Sequence, residues 1–93
     1  MPKYPFKLDS YSFGLVCYEI LVGREPFWEC KNTNEIKRRI LNKDRPVLPS
    51  ECPLMLKALI ERCWSHEPEE RPTFGVICRK LTYIKYSLMT GTD

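Results

Sequence analysis

The chain has 93 residues, 43% hydrophobic and 29% charged, with 15 lysines and arginines against 12 acids and a formal net charge of +3. That length supports one small domain, and the composition argues against both a disordered chain and a membrane span. No run approaches 18 apolar residues and the opening MPKYPFK carries no apolar signal segment, so the expectation is a soluble, cytoplasmic protein. The only compact basic run, Lys37-Arg38-Arg39, has Glu35 and Asp44 nearby. It reads as a solvated helix face, and no nucleic-acid partner is expected.

Residues 8–22, LDSYSFGLVCYEILV, are apolar nearly all round and predict a helix that wants protein on every side, at the centre of the fold. Asp9 is placed to cap it through the amides of Tyr11 or Ser12, and Gly23 to stop it. Gly14 costs roughly 1 kcal/mol relative to alanine inside a helix, a cost that a close contact over it would offset. In REPFWECKN, Pro26 interrupts the helix while Phe27 and Trp28 supply apolar anchors for a loop. Asn32 followed by Glu35 has the spacing of a capping box, predicting a surface helix over 33–42 with a narrow stripe of Ile36, Ile40 and Leu41.

KDRPVLPSECP holds three prolines and predicts an extended crossing of the surface. From Pro53, the positions of Leu56, Leu59, Ile60, Cys63 and Trp64 give one helical face. The charged loop SHEPEERP follows, and Thr73 then caps a last helix whose stripe is Phe74, Ile77, Leu81, Ile84 and Leu88, with MTGTD fraying. Four helices and no convincing strand make an all-α chain.

Cys17, Cys30, Cys52, Cys63 and Cys78 are odd in number and contain no C-x-x-C pair. Zinc on Cys63 and His66, completed by Cys52 or Cys30, and structural disulfides are the minor readings. Buried or half-buried thiols among apolar residues at helical spacing are the main one. His66 has no convincing serine or aspartate partners, and Glu67, Glu69 and Glu70 read as a solvated turn.

Taken in order, "DSYSFGLVCYEILVGREPF", "RPVLP", "LKALIERCWSHEPEERPTF" and "ICRKLTYIK" resemble the C-terminal half of the large lobe of a eukaryotic protein kinase, over nearly the whole chain. The Cys-Trp followed by Arg-Pro is similar to tyrosine kinases and tyrosine-kinase-like Ser/Thr kinases, and the closing stretch to plant members of the latter. The resemblance implies that residues 1–93 are a C-terminal fragment of a kinase domain, its helices the F, G, H and I helices of the lobe. It implies that Asp9 accepts backbone amides of the catalytic loop, that Gly14 belongs to the same motif, and that Arg71 pairs with the glutamate ending the activation segment. Tyr11, Phe13, Pro26, Phe27, Trp64 and Pro72 match structural positions of the motifs. For Asp9 and Arg71 the plain readings, a helix cap and a surface arginine, stand beside these.

Phosphoryl transfer needs a glycine-rich cover, a phosphate-binding lysine, a catalytic-loop aspartate with its asparagine and an aspartate for magnesium. The sequence contains no G-x-G-x-x-G, V-A-I-K, H-R-D, D-F-G or A-P-E. No catalytic, ATP-binding or metal-binding residue is therefore expected in this chain. ATP and magnesium belong to the parent kinase, whose substrates are protein Ser/Thr, less readily Tyr, residues. The partners expected are the upstream part of the kinase domain and, in the parent, its protein substrates. The competing reading is a non-catalytic helical module that binds another protein.

Overall fold

The computed structural model describes residues 6–91, and their side chains from residue 7. Thr92 and Asp93, the end of the tail expected to fray, lie outside that range. Four α-helices follow in order: α1 (Phe6–Val22), α2 (Thr33–Leu41), α3 (Leu54–Cys63) and α4 (Phe74–Thr90), with a single 3-10 turn at Pro68–Glu70 before the last. No strand occurs among the described residues.

The helix ends follow local chemistry. Gly23 stops α1 at φ 77°, its amide donating to the Glu19 carbonyl at 2.7 Å; a left-handed residue is where glycine loses nothing. Asn32 Oδ1 accepts the Glu35 amide at 2.9 Å, and Glu35 Oε2 accepts the amide of Lys31 at 3.0 Å, a capping box shifted outward by one residue. The Thr73 side chain accepts the Val76 amide at the start of α4, and Gly91 closes that helix at φ 73°. Met89 and Thr90 are helical, not frayed, because this C-cap lies beyond them.

The core lies on both sides of α3. Towards α1, Ile60 and Trp64 pack with Tyr18 and with Leu48 from the extended segment. Towards α4, Leu59 and Cys63 pack with Ile77 and Ile84. Ile60 and Cys63 are wholly buried, so α3 is the central helix of the described residues, in place of α1. The physical reason is visible in α1 itself: Leu8, Asp9, Ser12, Val16, Glu19 and Ile20 share one side of the helix and all are exposed. Only the opposite side, with Ser10, Gly14 and Tyr18, meets the rest of the fold.

Gly14 marks the closest approach. A Cβ at this position would stand 3.2 Å from the Cys63 Cβ and 3.4 Å from both the Ile60 carbonyl oxygen and the Trp64 ring. The missing side chain lets α1 and α3 pack backbone against side chain, which accounts for a glycine in the middle of a helix.

Three further positions differ from expectation. Trp28 is 51% exposed and lies under the Arg24 guanidinium, 4.2 Å from it, so Phe27 alone anchors that loop. Cys78 faces solvent, because it falls one residue off the buried Ile77 position. Phe74 and Leu88, at the ends of the α4 stripe, are about half exposed where α3 no longer reaches them.

The chain measures 44 × 32 × 16 Å along its principal axes, with a radius of gyration of 14.2 Å. A compact domain of this length has about 12 Å. Its accessible surface of 6634 Å² likewise exceeds the roughly 5,600 Å² of a folded monomer of its mass. The chain is thus flatter than a compact domain of its length.

Candidate functional site

Tyr11, on the inner side of α1, gathers two cations. The Arg45 guanidinium carbon lies 5.2 Å from the centre of its ring and that of Arg71 4.9 Å. Each arginine is fixed from behind by backbone. Arg45 Nε donates to the Trp64 carbonyl at 2.7 Å and its Nη1 to the Asp44 carbonyl at 2.9 Å. Arg71 Nε donates to the Ser65 carbonyl at 2.8 Å. The start of α1 is then stitched to the same loop, Lys7 Nζ donating to the Arg71 carbonyl and Ser10 Oγ to that of Pro72.

This is a cationic site without an anion. Arg71 is only 8% exposed, and no carboxylate forms an ion pair with it or with Arg45 among the described residues. Burial, followed by the neighbouring Arg45 charge, pushes the Arg71 pKa down from its ordinary value. Both effects have one physical meaning: an anion brought to this point relieves a desolvated positive charge. The π face of Tyr11 supplies part of that relief, since a cation over an aromatic ring contributes roughly 0.5–2 kcal/mol.

The residues singled out in the sequence fall into two groups. Tyr11, Trp64, Arg71 and Pro72 surround this site, with Gly14 one turn further along α1 where it meets Cys63 and Trp64. Phe13 is half-buried and meets the Phe74 ring edge to face, centroids 5.8 Å apart. Pro26 and Phe27 belong to a second cluster, where Phe27 is buried at φ 59° beneath the Arg39 guanidinium at 4.8 Å. Arg39 also bonds Glu29 at 2.6 Å and Asp44 at 3.4 Å, tying α2 to its flanking loops.

Asp9 does not cap α1. The helix begins at Phe6, so the amides of Tyr11 and Ser12 bond the carbonyls four residues back within the helix. The Asp9 carboxylate instead stands exposed on the side of the helix that carries Val16 and Ile20. In the first turn it complements the helix dipole. It is an acceptor on a face that also carries Leu8, Val16 and Ile20 alongside Ser12 and Glu19. Sequence reasoning missed Arg45, Lys7 and Ser10 as members of the site; the arginine opening RPVLP was the one available signal.

The described residues hold no group of three or more His, Cys, Asp or Glu side chains suited to a metal ion. His66 is exposed, and partial desolvation together with the Arg45 and Lys43 charges holds its pKa down. No serine or cysteine side chain is hydrogen-bonded to it, so the geometry of an activated nucleophile is missing. The Cys63 thiol is pushed up to about 11 by burial. What the arrangement can do is hold an anion at Arg71 and Arg45, and offer an apolar, carboxylate-bearing helix face to another layer.

Comparison with known proteins finds protein kinases over nearly the whole chain. A light-sensor protein kinase of Ceratodon purpureus is 59% identical over 91 residues, covering 98% of this chain and 7% of that protein. A probable serine/threonine-protein kinase of Dictyostelium discoideum is 41% identical over 89 residues, covering 92% of this chain and 6% of its own length. A dual specificity protein kinase of the same organism is 40% identical over 82 residues, covering 88% and 6%. The chain thus spans less than a tenth of these relatives. The model of protein tyrosine and serine/threonine kinases matches residues 2–81, the stretch that contains Asp9, the Tyr11 cluster and the Gly14 contact. With a family match over most of the chain and described residues that are helical without strands, as the kinase large lobe is expected to be, this chain belongs to the protein tyrosine and serine/threonine kinase family.

Proposed function

We propose that the chain is the helical base on which the catalytic elements of a serine/threonine-specific protein kinase stand. The observation that carries this reading is the Arg71 site. Its guanidinium is held by Ser65 and Tyr11 and largely buried, yet no carboxylate answers it among the described residues. The glutamate that ends the activation segment supplies such a carboxylate, and it lies outside these 93 residues. Asp9, an acceptor on the exposed face of α1 with no ion pair among the described residues, takes the catalytic-loop amides in the same way, and docking of that layer covers Val16 and Ile20.

Nucleotide and magnesium are bound elsewhere in the parent protein. The sequence has no phosphate-binding glycine loop, and the described residues hold no group of three or more His, Cys, Asp or Glu side chains suited to a metal ion. The parent's activity on this reading is transfer of the ATP γ-phosphoryl group to protein serine or threonine. The protein works in the cytoplasm, a reducing compartment that suits five free cysteines; no helix among the described residues is long and apolar enough to cross a membrane.

The test is phosphosite mapping by mass spectrometry on the longer protein that contains residues 1–93, incubated with ATP and magnesium. Phosphoserine and phosphothreonine are expected, together with loss of activity in Arg71→Ala and Asp9→Ala. Phosphotyrosine alone, or unimpaired activity in both variants, overturns the reading. The 93-residue chain itself is expected to show no heat of binding with millimolar magnesium-ATP in titration calorimetry.

A further inference from the structure

A second surface feature has no part in the site just described. Between α3 and α4 runs a groove of about 400 Å³, open along one side and lined by Met55, Ala58, Leu59, Arg62, Arg79, Lys80, Tyr83 and Ile84. Its floor is the edge of the core, Leu59 and Ile84. Its walls differ from its floor in a consistent way. Arg62 stands on the α3 wall and Arg79 and Lys80 on the α4 wall, all exposed, and no acidic residue lines the groove. Arg62 is bonded only to a neutral acceptor, the Glu70 carbonyl, at 3.2 Å. None of the three makes an ion pair among the described residues.

We infer that this groove docks an amphipathic helix of a separate protein, one that buries an apolar side chain against Met55, Ala58 and Tyr83 and sets glutamates or aspartates against Arg62, Arg79 and Lys80. The geometry is that of helix-in-groove recognition, in which anchors at i, i+3, i+4 and i+7 enter an apolar channel between two helices. Charge complementarity selects the partner: cations on both walls attract a helix acidic on both flanks of its apolar stripe, and repel a basic one. Met55 adapts its shape to the anchor, and Tyr83 offers a rigid apolar ring with a polar tip. The open side distinguishes the groove from an enclosed lipid tunnel. Because its residues are separate from Asp9, Tyr11 and Arg71, this docking does not depend on the kinase reading.

The experiment uses fluorescence anisotropy with a labelled 16-residue peptide carrying leucines at i, i+3, i+4 and i+7 and glutamates at the flanking positions, against a control with lysine in place of each glutamate. Binding is measured with the 93-residue chain and with the longer protein, in wild type, in an Arg79→Glu/Lys80→Glu pair, and in Ala58→Trp, which fills the groove. Circular dichroism confirms the helical content of each. The expected result is saturable binding of the acidic peptide by both proteins, weakened at least tenfold by the charge reversals and by Ala58→Trp, weakened further by raised salt, and absent for the lysine control. Equal binding of both peptides, or indifference to all three substitutions, overturns the inference. So does binding by the 93-residue chain alone, which assigns the groove to another segment of the same protein. Binding to vesicles containing phosphatidylserine without binding of the peptide overturns it in favour of a membrane surface, and concentration-dependent self-association abolished by Ala58→Trp in favour of a second copy. Protein phosphorylation by the longer protein stays unchanged in the charge-reversal pair, which separates failure here from failure of the kinase reading.

Discussion

The two sides of α1 are built to different standards. On the inner side Gly14 brings the helix against Cys63 and Ile60, Tyr18 is buried, and the Ser10 hydroxyl finds the Pro72 carbonyl. On the outer side Leu8, Val16 and Ile20 are 53%, 49% and 76% exposed, interleaved with Asp9, Ser12 and Glu19. Covering the exposed part of these three side chains is worth about 1–2 kcal/mol each, a sizeable fraction of the roughly 5–14 kcal/mol that stabilises a typical domain of this length. One side is a finished interior, and the other, on the function proposed above, is the surface on which a further layer docks. A helix can therefore be the most apolar in its sequence and still lie at the edge of its own fold.

Truncating the inner side has the largest expected effect. Ile60→Ala removes a wholly buried side chain between α1 and α3, and is expected to destabilise the chain by about 2–5 kcal/mol. Urea unfolding followed by circular dichroism reads this out, and a loss under 1 kcal/mol means that the interface is looser than its geometry.

The same contrast appears in the thiols. With its pKa raised to about 11 from the ordinary 9.0, Cys63 carries roughly a hundredfold less thiolate at pH 8 than an unshifted thiol, and its alkylation slows accordingly. Exposed Cys78 is expected to be modified first, as peptide mass spectrometry after brief iodoacetamide treatment will show. The unfolded thiol ionises near 9 while the folded one waits until about 11, so rising pH across that window favours unfolding.

Gly14→Leu is expected to cost about 1–3 kcal/mol by forcing α1 off α3. Gly14→Ala sharpens the point: its gain of about 1 kcal/mol in helix propensity opposes a Cβ contact at 3.2 Å, so its net effect is smaller than that of leucine. The smallest effect belongs to the outer side. Ile20→Lys is expected to change the stability of the 93-residue chain by no more than about 0.5 kcal/mol while lowering its binding of a hydrophobic dye. In the longer protein the same substitution buries a charge and reduces stability clearly. Equal effects in both proteins would remove the distinction between the two sides.

Much of this architecture was legible beforehand. The Asn32 and Thr73 caps, Gly23 as a stop, and the face of Leu59, Ile60, Cys63 and Trp64 are local or periodic signals, and the structure carries them. The position of α1 was not, because an all-round apolar helix shows that it has neighbours without showing which are present. Asp9 as a cap failed for a related reason, since the helix starts three residues earlier than its polar cluster suggests. At the site, Arg71 and Tyr11 belonged to recognisable motifs, whereas Arg45 and Lys7 joined them through contacts far apart in sequence that no spacing rule reports.

The most direct test of an unfinished helical base is the thermal unfolding of the purified 93-residue chain, followed by circular dichroism in the presence of a hydrophobic dye. A helical chain that binds the dye before heating and melts broadly, below the roughly 45–65 °C range usual for mesophilic domains, is the predicted result. A monomer that unfolds cooperatively above about 60 °C and binds no dye would contradict it.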